Sequence, residues 1–237
     1  MNHLHQIVFE EIKESATPDK AEWWNQYLKG EIPFLGVGTP EIRKVFLNRD
    51  RELAFENLAM NQQVSLVNGL MRGNYAEEKL AAILYVQLFW LESMKGSFLM
   101  NLVSDWFEDR CIYDWNTTDW LCVRILTPLI DSGDPQVIWK LKQWSRNPYL
   151  WKARASLVPF ARAKYITQYS KEISQFSDIL IRRHERFAKT AVGWVLREYS
   201  KHDPDFVLDF LSKHVKHTSP EVKRNALKYY RKDLRAD

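Results

Sequence analysis

Glycine is scarce in this chain, with 8 among 237 residues. Asn-Gly and Asp-Gly turn pairs are few as well, which argues against an all-β fold. Cysteine is scarcer still. Cys111 and Cys122 offer neither a metal-ligand spacing nor a disulfide framework, so a reduced, cytoplasmic setting is expected. No apolar run approaches the roughly 20 residues that span a bilayer, and no membrane partner is expected. Met1 to Phe9 lacks the basic start and apolar core of a secretory signal. The histidines are His3, His5, His184, His202, His214 and His217. None belongs to an HExxH pattern, and His214 and His217 stand three apart without a third ligand. A Gly-x-x-x-x-Gly-Lys phosphate loop is absent, and neither cysteine has a histidine neighbour in sequence. These absences leave no metal or cofactor site to assign.

What is present is apolar mass and an uneven charge. Hydrophobic residues make up 46% of the chain, enough for a packed core and too many for a disordered protein. The length suits one large domain or two small ones, and 1–237 is read as a single domain. Residues 1–139 hold 12 Lys and Arg against 20 Asp and Glu, a balance of −8. Residues 140–237 hold 22 against 10, a balance of +12. A basic half on a nearly neutral chain points to a polyanionic partner.

Apolar periodicity predicts helices throughout. Ile7, Val8 and Ile12 share a face over 7–15, and Ala21, Trp24, Tyr27 and Leu28 do so over 19–30. Pro18 fits a helix start. Residues 31–40 read as a connector, after which Thr39 caps a helix with Pro40 at its first position. From there the chain repeats. Lys44, Lys79, Asn116, Lys152, Lys189 and Arg224 are separated by 35, 37, 36, 37 and 35 residues. Each is followed two and three places on by small or apolar residues, as in Ala81-Ala82, Ala191-Val192 and Ala226-Leu227. Pro40, Pro148 and Pro220 stand four residues before their anchors, placed to open the helix. Between anchors lies a second helical pattern, exemplified by Phe98, Leu99, Leu102, Val103, Trp106 and Phe107. Ser132-Gly133-Asp134-Pro135 and His202-Asp203-Pro204 mark helix starts. A helix pair recurring at this period predicts an all-α fold: an α-solenoid of HEAT-like repeats, about six pairs, whose second helices line a concave face.

The repeat's packing rule breaks at Thr118-Asp119 and at Arg154. Polar residues standing where a repeat wants small or apolar ones are candidates for function. Trp115 and Asp119, four apart, share one helical face. An indole beside a carboxylate suits a flat cationic group. A buried Trp beside a solvated or salt-bridged Asp is the alternative that these residues alone leave open.

Four stretches resemble the AlkD-like DNA alkylation repair family, DNA glycosylases built of HEAT-like repeats. Gly193-Trp194-Val195-Leu196-Arg197-Glu198-Tyr199 is the most specific. Trp151-Lys152-Ala153-Arg154 resembles the family's Trp-x-x-Arg helix start, and Trp115 with Asp119 its Trp-x-x-x-Asp pair. Phe34-Leu35-Gly36-Val37 with Thr39-Pro40-Glu41 and Arg43, preceded by Tyr27, matches its N-terminal segment. The resemblance implies excision of purines alkylated at N3 or N7, by hydrolysis of the N-glycosidic bond and without metal or nucleotide cofactor. It implies that Asp119 stabilises positive charge on the sugar and positions water. Trp115 and Trp194 would contact backbone and sugar around the lesion, Arg154 a nearby phosphate, and Tyr27 the same cleft. It also implies a damaged base that stays largely stacked, with no enclosed base pocket. The expected partner is double-stranded DNA carrying alkylated bases, bound by a monomer with its concave face. A non-catalytic HEAT-like relative that binds DNA, branched DNA included, is the competing expectation. A peptide-gripping scaffold is disfavoured by the basic half.

Overall fold

The computed structural model describes residues 4–48 and 54–230. Among the described residues the regular structure is helical, without a strand. In chain order the α-helices are α1 (Leu4–Glu14), α2 (Pro18–Tyr27), α3 (Thr39–Leu47), α4 (Met60–Met71), α5 (Ala76–Tyr85), α6 (Gly96–Glu108) and α7 (Trp115–Leu121). There follow α8 (Thr127–Asp131), α9 (Pro135–Trp144), α10 (Leu150–Leu157), α11 (Ser170–Ile181), α12 (Arg186–Tyr199), α13 (Pro204–Lys213) and α14 (Pro220–Ala226). π-helical turns extend α5 over Val86–Trp90 and α7 over Cys122–Leu126. No helix of the described residues is long and apolar enough to cross a membrane.

The helix starts follow local chemistry. Pro18, Pro40, Pro135, Pro204 and Pro220 occupy first turns, where a missing N–H leaves no bond unmade. Asp134 accepts from the Gln136 amide, Asp203 from Phe206 and Ser219 from Val222. Two expectations shift by a residue or two. Gly38, not Thr39, stands at the cap of α3. Pro148 lies outside α10, whose cap is Tyr149.

The chain divides into two compact units, Met1–Met94 with Glu108–Trp120, and Lys95–Phe107 with Leu121–Asp237. In the first, α4 pairs with α5, and α3 lies along α5. In the second, α11 pairs with α12, while α10 lies along α12 and α12 along α14. Helices of one kind thus stack side by side with their partners behind them, the arrangement of an α-solenoid.

The anchors show what the repeat needs. Lys79, 1% exposed, donates from Nζ to the carbonyls of Met71 and Gly73 at the end of α4. Lys189 donates to the His217 carbonyl beyond α13. The Lys79 ammonium satisfies the Met71 carbonyl that the end of α4 leaves orphaned and faces the negative end of that helix's dipole. Lys152 instead reaches Ser104 of α6 and lies over the Trp144 ring. The residues two and three places on, such as Ala81, Ala82, Ala191 and Val192, are fully buried, which explains why they are small or apolar.

Candidate functional site

In the first unit the connector after α2 is pinned in place. Gly36 has φ +82°, and a Cβ there would lie 2.2 Å from the Thr17 carbonyl oxygen and 2.6 Å from the Ala21 nitrogen. Only glycine tolerates both the left-handed backbone and that approach. The Thr17 hydroxyl donates to the Gly36 carbonyl. The buried Glu77 carboxylate of α5 accepts from the amides of Leu35, Gly36 and Val37 at 2.9–3.1 Å. Burial pushes the Glu77 carboxyl up, while those amides pull it back down. The Phe34-Leu35-Gly36-Val37 stretch is therefore a clasp that holds α2 to α5.

The clasp positions an aromatic cluster. Phe34 is buried, its amide held by Asn25 at 3.0 Å, and it stacks on Trp24 with centroids 5.3 Å apart. Tyr27 meets Trp115 of α7 edge to face at 5.7 Å. Trp24 and Trp115 both pack on the buried cluster of Leu28, Ile32, Phe34 and Ala76. Periodicity assigned α2 an inward face of Ala21, Trp24, Tyr27 and Leu28. The helix itself buries no residue. Tyr27 is 55% exposed, and Leu28 is buried just past the helix end. Tyr27 is thereby free to face a ligand.

α7 begins where Asp114 caps it. Asp114 Oδ1 accepts from the Thr117 amide at 2.8 Å, and the Thr118 hydroxyl donates to the Asp114 carbonyl. Burial pushes the Asp114 carboxyl up, against the hydrogen bonds from Thr117. The cap sets the rotation of α7, and Trp115 and Asp119 stand one turn apart, both half-buried. Tyr27, Trp115 and Asp119 are thus brought together by α2 and α7. Thr118, the other rule-breaker, is fully buried and serves the helix start.

The second unit carries Arg154 on α10 and Trp194 on α12. Arg154 is 4% exposed. Its Nη1 donates to the Phe187 carbonyl at 2.6 Å and to the Thr190 hydroxyl at 3.2 Å, which ties α10 to the first turns of α12. Trp194 lies one turn beyond Thr190. It is half-buried, and its indole N–H is buried without an acceptor among the described residues.

The rest of the two motifs in this unit holds helices together. Trp151 packs on Phe187 at 5.3 Å. At Gly193 a Cβ would come within 3.3–3.4 Å of Val222 and Asn225, so glycine there lets α14 approach. Arg197 donates twice to Glu198 and once to Asn225, and Lys201 donates to Glu198 at 2.5 Å. Burial works against ionising Glu198, yet the bonds from Lys201 and Arg197 together hold its carboxyl below the usual range. Cys111 and Cys122 are buried and not joined in a disulfide.

Sequence reasoning missed Trp23, 56% exposed and stacked on Tyr27 with rings 10° from parallel and centroids 5.1 Å apart. The signal was there: two aromatics four apart on a helix share a face.

Residues 8–230 match the family described as DNA alkylation repair enzyme. The fold is similar to a solved structure described as a predicted DNA alkylation repair enzyme from Enterococcus faecalis, with a TM-score of 0.76 and 18% identity. That likeness covers 91% of this chain and 96% of the other, and at such identity it bears on the fold. No curated protein matches the chain. The family match runs from the first helix to the last described residue, and on that extent the chain belongs to the DNA alkylation repair enzyme family.

Proposed function

We propose that this protein is a monofunctional DNA glycosylase that excises cationic N3- or N7-alkylated purines from duplex DNA. The observation that carries the reading is the grouping on α7 and α2: Asp119 one turn from Trp115, whose ring packs against exposed Tyr27. Family membership makes DNA the partner. The balance of +12 over residues 140–237 supplies charge for it.

The chemistry suits such a group. An alkylated purine is already cationic, so the bond electrons leave with the base and neutralise it. Positive charge builds on the deoxyribose until water adds to C1′ and loses a proton. A carboxylate about 4 Å from that charge contributes about 4 kcal/mol at an effective dielectric near 20, roughly a thousandfold in rate. Indole faces favour the same charge by roughly 0.5–2 kcal/mol each. Asp119 is assigned this electrostatic task, and Trp115 and Tyr27 the flanking aromatic surface. Arg154 and Trp194 are assigned to a phosphate and to the sugar-phosphate backbone, and the protein acts as a monomer.

The test is release of alkylated bases from methylated duplex DNA, comparing wild type with Asp119→Asn. The variant keeps the shape and removes the charge, so excision should fall by roughly a hundred- to a thousandfold. Binding should stay equal or tighten, and melting should hardly move. Equal excision by the variant removes Asp119 from the centre of the reaction. No release by wild type on any alkylated substrate leaves a DNA-binding protein without glycosylase chemistry.

A further inference from the structure

The aromatic cluster of the first unit extends past the residues assigned so far. Trp23 and Tyr27 form a near-parallel stack, and both rings are more than half exposed. Behind them Trp24 meets Trp23 edge-on at 4.8 Å and Tyr27 at 5.9 Å. Trp24 in turn stacks on buried Phe34 with planes 12° apart. The exposed pair is thus the outer leaf of a five-ring assembly completed by Trp115, and its rotamers are fixed from behind. Packing on Trp24 and Tyr27 leaves more than half of Trp23 in solvent, on a helix that buries no residue. A rigid, exposed pair of flat rings loses little conformational freedom on binding.

We propose that Trp23, backed by Tyr27, is a stacking site for an unpaired nucleobase, distinct from the damaged base that stays stacked, of the DNA on which Asp119 acts. This rests on the glycosylase reading for its substrate but not for its chemistry. Three features favour a base as the occupant. The open face is planar and aromatic, and every base offers a π-face to it. The surface is continuous through Tyr27 and Trp115 with the helix that carries Asp119. Exposed Lys20 stands three residues before Trp23 on the same helical face, where it can meet a phosphate of the same strand. Asp19, four residues before Trp23, shares that face with Lys20 and balances its charge, and Glu22 accepts from Gln26.

Aromatic stacking on a single-stranded base is worth about 5- to 150-fold in affinity. The experiment measures binding of a fully paired duplex and of the same duplex with one bulged nucleotide, by wild type, Trp23→Ala and Trp23→Phe. Wild type should prefer the bulged duplex. Trp23→Ala should lose that preference by about 5- to 150-fold, with paired-duplex affinity and melting temperature unchanged. Trp23→Phe, which keeps a ring, should restore most of it. The inference is overturned if wild type shows no preference, if Trp23→Ala binds the bulged duplex like wild type, or if it weakens both duplexes equally. A loss of bulge binding that tracks a lowered melting temperature also overturns it, since Trp23 would then be a packing residue. The two readings fail separately: bulge preference without base release removes the glycosylase, and release without Trp23-dependent preference removes the stacking site.

Discussion

The two units use similar motif residues for opposite ends. In the first, Trp23 and Tyr27 are pushed outward, 56% and 55% exposed, by a prop of half-buried Trp24 and buried Phe34. In the second, Trp151, Gly193, Arg197 and Glu198 turn inward and fasten helices to one another. Arg154 belongs with the second group by geometry, since it is buried and donates to Phe187 and Thr190. A shared motif string therefore mixes residues that hold the scaffold with residues left open to solvent. Burial and internal hydrogen bonds separate the two kinds. The Asp119→Asn experiment carries the largest expected effect, a chemical loss without a structural one. The variants below probe the other side.

Glu198→Gln should give the reverse result. It weakens bonds from Arg197 and Lys201 to a carboxylate that is 8% exposed. Hydrogen bonds to a charged group are worth about 1.5–3 kcal/mol, and a chain of this size melts about 2–4 °C lower per kcal/mol. Excision should fall only with the folded fraction. The effect carries a pH signature. The folded carboxyl lies below its usual range, so its contribution is present above the unfolded value, about 4.3, and is lost as pH falls through the folded value. The stability gap between wild type and Glu198→Gln should be full at neutral pH and close in acid. A gap that widens in acid would refute this assignment.

Arg154→Ala decides to which side Arg154 belongs. Loss of its bonds to Phe187 and Thr190 should cost about 1.5–3 kcal/mol, read as a lowered melting temperature. A phosphate contact predicts something further. The slope of log affinity against log salt should become shallower by about 0.9 for the phosphate lost. Lowered melting with an unchanged slope makes Arg154 a helix tie alone. A changed slope makes it both.

Much of this was legible in the sequence. The interval of 35–37 residues fell on real helix pairs, and Asp134 and Asp203 cap the helices that their prolines open. The rule-breaking position at Asp119 lies one turn from half-buried Trp115, whose ring meets exposed Tyr27. What the period could not show was which atoms meet. It marked Lys79 without revealing that its ammonium closes the last carbonyl of α4 and one in the turn that follows. It counted Tyr27 among inward residues because apolar spacing does not distinguish a ring that packs from one that is propped outward. Gly36 looked like an ordinary connector glycine, because the approach of Thr17 and Ala21 to it depends on a chain reversal that local pattern does not encode.

The smallest expected stability change lies at Tyr27, and it tests the comparison most directly. Tyr27 and Phe34 both flank Trp24, at 5.9 Å and 5.3 Å between centroids, yet one is 55% and the other 6% exposed. Truncating a buried Phe to Ala costs about 3–5 kcal/mol, and Phe34→Ala should lower melting accordingly. A surface change usually stays within about 0.5 kcal/mol, so Tyr27→Ala should hardly move the melting temperature. What it should move is function. It removes the support behind Trp23 and the ring against Trp115, so DNA binding and excision should both weaken, and Tyr27→Phe should keep the stack and most of the activity. If Tyr27→Ala melts as low as Phe34→Ala, the outer rings are part of the core that holds α2. The contrast between a presenting unit and a fastening one would then fall with them.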